Sequence, residues 1–268
     1  MKTIVEARNV QKTYGARGNL FTALQRIDLT VAEGEFVGIM GPSGSGKSTL
    51  LNLLSTIDRP TAGEIEVDGV SILNMDEARM SAFRRDRLGF IFQDFNLLDT
   101  LTVRENIVLP LALARANIKE LECRAIEIAE RFGIRDILDK YPYQISGGQK
   151  QRTAASRAIV AKPSLVLADE PTGALDSKSA TDLLECLQEL NLRERATILM
   201  VTHDPFAASY CSRVLFIKDG SVFTEIGRGE TARSLFFKKN HGRAVGPQQR
   251  RAGRRMIRRP IAERRGSP

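Results

Sequence analysis

Residues Gly41 to Thr49 read GPSGSGKST, and no other stretch of the chain limits the fold as tightly. Gly41, Gly46, Lys47 and Ser48 fit G-x-x-x-x-G-K-[ST], a pattern that works only between a strand and a helix. Phe36 to Met40 is a short apolar run suited to a buried strand, and Thr49 to Leu54 can begin a helix. Glycines at 41, 44 and 46 reach backbone conformations closed to other residues and aim successive N–H groups at one point, where phosphate oxygens accept them. Lys47 brings a mobile charge to the β- and γ-phosphates, and the Ser48 hydroxyl can complete the shell of a Mg²⁺ ion. Pro42, Ser43, Ser45 and Thr49 complete the candidate phosphate site. By itself the loop specifies a bound nucleotide and no particular reaction.

Other polar residues follow apolar runs in the same way. Leu165 to Ala168 is a strand pattern that ends in Asp169 and Glu170. Asp169 suits a Mg²⁺ shell, and Glu170 is placed to polarise water for in-line attack on a γ-phosphate. Two carboxylates side by side raise each other's cost of ionisation, which a purely structural strand end would not need. Gln93 follows the apolar run Leu88 to Phe92, where a carboxamide could meet the metal or the attacking water, or simply end the strand. His203 follows the β-rich run Thr197 to Thr202 and is the fourth polar residue delivered to the same edge. Ser146-Gly147-Gly148-Gln149 opens a further helix, with Ser146 a good N-cap and two glycines leaving N–H groups bare towards an anion. The chain thus has two phosphate-seeking loops and one loop lysine. Tyr14, in a turn between two strand patterns, could stack on a base or be an ordinary turn residue.

Between Val103 and Arg135 the period becomes helical. Leu121, Ala125, Ile128 and Phe132 share one face, and Glu120 with Arg124 and Glu127 with Arg131 are spaced for i,i+4 pairs on the other. The sequence predicts a mainly helical insertion there. No window approaches the 18 or so uncharged apolar residues of a membrane span, and the first residues carry no apolar signal region. Cys123, Cys186 and Cys211 are odd in number and widely spaced, and read as core thiols of a reduced, cytoplasmic protein.

With these residues in order, the chain resembles the ATP-binding subunits of ABC transporters over residues 1 to about 239. The resemblance implies an α/β fold: a P-loop NTPase core, with a RecA-like mixed sheet flanked by helices, an N-terminal antiparallel β subdomain, and an α-helical subdomain inserted at about 95–145. It makes Tyr14 the adenine-stacking aromatic, Gly41 to Thr49 the Walker A loop and Gln93 the Q-loop. Ser146 to Gln149 become the signature, Asp169 and Glu170 the Walker B pair, Asp176 the D-loop and His203 the switch histidine. It further implies ATP and Mg²⁺ as cofactors, and a head-to-tail homodimer in which Walker A of one subunit faces the signature of the other. An integral membrane permease would be the driven partner, at the cytoplasmic face of the membrane. Within the family, the run from Ala168 to Ser177, Ile145, Met200 to Gly220, and Glu225-Ile226 through Ser234 to Phe237 look most like bacitracin-type peptide-resistance transporters, which often work beside a sensor kinase. Lipoprotein release is the neighbouring alternative. A soluble ATPase acting on nucleic acid or ribosomes is the more distant one.

Charge bears on that last alternative. Nine of the 40 basic residues and one of the 32 acidic residues fall in 241–268, which leaves 31 of each in the first 240. The body is neutral, and no specific nucleic-acid partner is expected. The Arg-rich tail departs from the short apolar end expected in this branch. It is read as a basic, disordered segment, either an aberrant C-terminus or an arm for anionic lipid. Its removal is expected to leave ATP hydrolysis intact, measured as phosphate release; a large loss would overturn the aberrant-end reading.

Overall fold

The computed structural model describes residues 2–16 and 18–244, with the side chains of 241–244 left aside. Two long strands, β1 (Thr3–Ala16) and β2 (Asn19–Ala32), form an antiparallel hairpin, and β3 (Phe36–Met40) leads to the first helix, α1 (Lys47–Leu54). Then come β4 (Ala62–Val67) and β5 (Val70–Ser71), joined at Asp68-Gly69 with φ of 51° and 73°, the left-handed pair that an Asp-Gly hairpin turn requires. Helix α2 (Glu77–Arg87) runs directly into β6 (Leu88–Ile91), and α3 (Val103–Leu113) and α4 (Ile118–Arg131) follow. Helix α5 (Gly147–Ile159), β7 (Leu165–Asp169), α6 (Ser177–Glu194) and β8 (Ile198–Val201) complete the centre. A short α7 (Pro205–Ala208), the hairpin β9 (Arg213–Lys218) and β10 (Ser221–Gly227), and α8 (Arg233–Ala244) close the described chain.

The strands divide into two sheets. One is antiparallel in the order β2-β1-β4-β5; the other has the order β10-β9-β3-β8-β7-β6, with only β10 antiparallel to its neighbour. Alternation along the parallel strands explains how both faces are covered. Val37 and Ile39 of β3, Leu165 and Leu167 of β7, and Leu199 and Val201 of β8 pack with α1 and the antiparallel sheet. Their neighbours Phe36, Met40, Val166, Ala168, Ile198 and Met200 pack with α3, α4, α5 and α6. A strand buried on both faces must be apolar throughout, which is why these segments read as continuous hydrophobic runs. The expected α/β architecture is the observed one. The inserted helices share the core on the second face, through Ala125, Ile128 and Phe132.

Three details differ from expectation. The Glu127–Arg131 pair forms at 2.6 Å, but Arg124 turns to Glu127 at 2.8 Å instead of to Glu120, because its other nitrogen donates to the Val160 carbonyl across the helix interface. Helix α8 continues through Ala244, so a boundary at 240 falls within it. The rest of the Arg-rich tail, 245–268, lies outside the described residues, and a truncation that tests it belongs after Ala244.

The third concerns the cysteines, which do not all sit in the core: Cys211 is buried, Cys186 intermediate and Cys123 exposed, and all three are free. Burial pushes the Cys211 thiol pKa up, so it stays protonated and unreactive. Alkylation of the native protein, followed by mass mapping, is expected to modify Cys123 first and to reach Cys211 only on unfolding.

Candidate functional site

The site begins where β3 ends. Gly44 and Gly46 have φ of 76° and 100°, and a Cβ on Gly46 would lie 2.5 Å from the Ala23 carbonyl oxygen. Gly41 is pressed as closely, since a Cβ there would meet the Ile217 oxygen at 2.1 Å. The loop is therefore wedged between β2 and the end of β9, and only glycine fits at these two contacts. Gly220 N–H donates to the Ser45 carbonyl at 3.2 Å and fixes it from the β9–β10 turn.

Lys47, the first residue of α1, folds back across the loop. Its Nζ donates to the Gly41 and Pro42 carbonyls at 2.9 Å each. Burial lowers its pKa, against the pull of the Glu170 and Asp169 carboxylates. One residue on is Ser48, whose hydroxyl is near enough to Asp169 to favour its charged form. Burial and then the charge of Glu170 raise the Asp169 pKa, while Ser48 and Lys47 oppose them. Asp169 Oδ1 is buried with no hydrogen-bond partner among the described residues. An orphaned carboxylate oxygen beside a hydroxyl fits a hard divalent cation. Among the described residues no three His, Cys, Asp or Glu side chains gather into a metal cluster, so the remaining ligands would be phosphate oxygens and water.

Glu170 occupies the left-handed region, with φ of 46°, a conformation that costs a non-glycine residue about 1 kcal/mol or more. The turn is held because its N–H donates to Val201 O at 2.9 Å and Gly173 N–H donates back to its own carbonyl at 2.9 Å. As a result the carboxylate turns out of the strand direction towards His203. Glu170 Oε1 lies 2.9 Å from His203 Nδ1, and His203 N–H donates to Oε2 at 3.3 Å. Both side chains line a cavity of about 570 Å³ whose other walls are Gly41 to Gly44, Gly46 to Thr49, Phe21 and Ala23.

The remaining sequence candidates lie off this cavity. The Tyr14 hydroxyl donates to Asp58 Oδ2 at 2.8 Å, and the Lys12 ammonium stands 4.7 Å from the ring centroid. Tyr14 is not among the cavity walls; its cross-strand partner Phe21 is. Gln93 is exposed, and its carboxamide lies against Gly173, where an added Cβ would come within 3.3 Å. Ser146 and Gln149 form a reciprocal cap, with Gln149 N–H donating to Ser146 Oγ at 3.3 Å and Ser146 N–H donating to Gln149 Oε1 at 3.0 Å. Gly147 is open, while Gly148 is pressed against Ser179 of α6. Asp176 caps α6 through the Lys178 and Ser179 N–H groups and accepts from Ser179 Oγ at 2.7 Å. The N-termini of α5 and α6 thus make one surface, separate from the phosphate-loop cavity of the same chain.

Two residues escaped the sequence reading. Phe21 carried a usable signal, an aromatic opposite Tyr14 in a hairpin. Gln151 carried another, a carboxamide on the same helical stripe as the buried Ala155 and Ala158.

A β-strand, a glycine-rich loop closed by Lys47 and Ser48, and an acid at the end of a neighbouring strand define a phosphate-loop nucleoside triphosphatase. The comparisons carry this further. The ABC transporter family profile matches residues 24–173. The chain is 55% identical over 235 residues to the bacitracin export ATP-binding protein BceA of Halalkalibacterium halodurans, covering 88% of this chain and 93% of that protein. The dimeric structure of the ABC transporter cassette MJ0796 superimposes with a TM-score of 0.78 at 40% identity, covering 84% of this chain and 98% of that one. A second structure of MJ0796, dimeric and in a post-hydrolysis state with ADP and Pi, gives 0.78 at 41% identity over the same shares. The chain belongs to the ABC transporter family and is an ATPase of that family.

The aromatic walls can be tested separately. Phe21→Ala is expected to weaken binding of a fluorescent ATP analogue several-fold without lowering Tm, because Phe21 is exposed and stacking on a base contributes roughly 1–3 kcal/mol. Tyr14→Ala, measured alongside, is expected to lower Tm as well, since its hydroxyl is tied to Asp58.

Proposed function

We propose that this chain couples ATP hydrolysis to a membrane permease that exports or removes antimicrobial peptides such as bacitracin. The observation that carries the hydrolytic part is the Glu170–His203 contact at 2.9 Å on the wall of the phosphate-loop cavity. In this reading the loop amides and Lys47 hold the phosphates, and Lys47 leaves the Gly41 and Pro42 carbonyls for them. Ser48, Asp169 and Gln93 would hold Mg²⁺, which when bound would supply neutralisation of charge on the transferring phosphoryl group. Glu170 orients and polarises the attacking water, and His203 fixes the carboxylate.

Two copies act head to tail. The open Ser146–Gln149 helix start and the Asp176 turn of one copy face the ATP held by the other, which gives a role to a phosphate-seeking loop that does not line the phosphate-loop cavity of its own chain. The dimeric MJ0796 cassette supports this arrangement. The permease and the peptide substrate are supported by the likeness to the bacitracin export protein, and a sensor kinase partner rests on the family resemblance alone. No helix among the described residues is long and apolar enough to cross a membrane, which suits a subunit bound at the cytoplasmic face.

Glu170→Gln is expected to bind ATP normally, to dimerise with it, and to hydrolyse it about 10²-fold or more slowly, as loss of a general base requires. Turnover at the wild-type rate would remove Glu170 from the reaction. With the same variant and ATP, a multi-span permease is expected to co-purify from detergent-solubilised membranes. Recovery of soluble partners only would withdraw the transport reading.

A further inference from the structure

We infer that Gln151 is a positioning residue that ties the two catalytic turns, those carrying Gln93 and Glu170, to the helix that begins with the signature. The inference rests on the catalytic reading of those two residues proposed above.

Gln151 lies on α5, two residues beyond Gln149, and is fully buried. Its Nε2 donates to the Phe92 carbonyl at 3.1 Å and to the Pro171 carbonyl at 2.7 Å. Phe92 immediately precedes Gln93, and Pro171 immediately follows Glu170. Both N–H bonds of one amide are therefore spent on the backbone next to a catalytic side chain.

The sheet explains why these carbonyls need an outside donor. The β6–β7 ladder ends at Ile91 opposite Ala168. Past that point the Glu170 N–H stays in the β7–β8 ladder, on Val201 O, and β6 is the edge strand with no neighbour on its other side. Gln151 supplies both carbonyls with a donor from a third element, beyond the end of the β6–β7 ladder. Its own Oε1 is buried without a partner among the described residues, so the amide is held there by its donors alone.

A second contact from the same helix makes this a clamp. Arg157, nearly two turns further along α5, donates to the Phe95 carbonyl at 3.0 Å and the Asn96 carbonyl at 2.6 Å. It pairs with no carboxylate among the described residues, and burial lowers its pKa. Phe95 and Asn96 both have positive φ, 61° and 48°, so the backbone there is bent into a shape that needs holding. Gln93 thus lies between two anchors on one helix, with its carboxamide against Gly173 of the Glu170 turn. Any displacement of α5 carries the Gln93 segment and the Glu170 turn with it.

The test is Gln151→Met, which keeps the volume and removes both donors, with kcat, KM, Tm and hydrogen exchange measured on the full chain. Positioning predicts a kcat at least tenfold lower, KM within twofold, and faster exchange confined to 92–97 and 170–174. Unchanged kcat with unchanged exchange in those segments overturns the inference, as does faster exchange throughout the chain with a proportionate rise in KM.

Gln151→Glu supplies a signature that packing alone would not. A buried carboxylate faces two carbonyl oxygens and cannot donate, whereas the neutral acid can donate once. Its kcat relative to wild type should therefore rise as pH falls between about 8 and 6, the range to which burial lifts such a carboxyl; a flat ratio counts against the inference. If Gln151→Met does not fold, Arg157→Met reads the other anchor, and unchanged exchange at 92–97 overturns the clamp. Glu170→Gln is run in parallel: wild-type turnover there sinks the catalytic reading, while an inactive Glu170→Gln beside a fully active Gln151→Met sinks only this inference.

Discussion

Burial of the parallel strands on both faces is the constraint on which the rest depends. β3, β7, β8 and β9 each send alternate side chains into two different cores, one under the antiparallel sheet and one under the helices. No polar group can be placed along such a strand without losing its water, at a cost of several kcal/mol if unpaired. Chemistry is thereby driven off the strands and onto their carboxyl ends. The phosphate loop after β3, Gln93 beyond β6, Asp169 and Glu170 at β7 and His203 beyond β8 all emerge along this one edge.

Delivery to one edge does not yet make a site. The strands would continue in their own directions unless the backbone turned aside, and it does so at Glu170, whose left-handed turn swings the carboxylate to His203. Glu170 N–H keeps its ladder bond to Val201 of β8, and past the end of the β6–β7 ladder Gln151 serves the Phe92 and Pro171 carbonyls from outside the sheet. Local strain and the interior polar side chain belong together. A carboxylate held about 3 Å from an imidazole requires a backbone shape the sheet would not adopt unaided.

The distribution of the other candidates has the same logic. The helix starts at Ser146 and Asp176 satisfy their first N–H groups with their own side chains, and Gly148 brings them into contact across Ser179. They form a surface apart from the phosphate-loop cavity of their own chain, the one that the proposed head-to-tail pairing uses.

Read alone, the sequence determined the strand-loop-helix around Lys47, the order of the sheet-forming runs, the acids after β7 and the membership these parts imply. Each is a local pattern, set by steric demands on glycine or by the period of apolar residues, and local patterns survive without knowledge of neighbours. Tertiary structure alone decided that Phe21 instead of Tyr14 walls the cavity, that Arg124 turns to Glu127, that Cys123 is exposed, and that Gln151 reaches two distant carbonyls. These depend on which element lies opposite which, at separations such as the 59 residues between Phe92 and Gln151. A buried amide gives no sequence sign of the backbone it serves, because its partners are carbonyl oxygens that every residue carries.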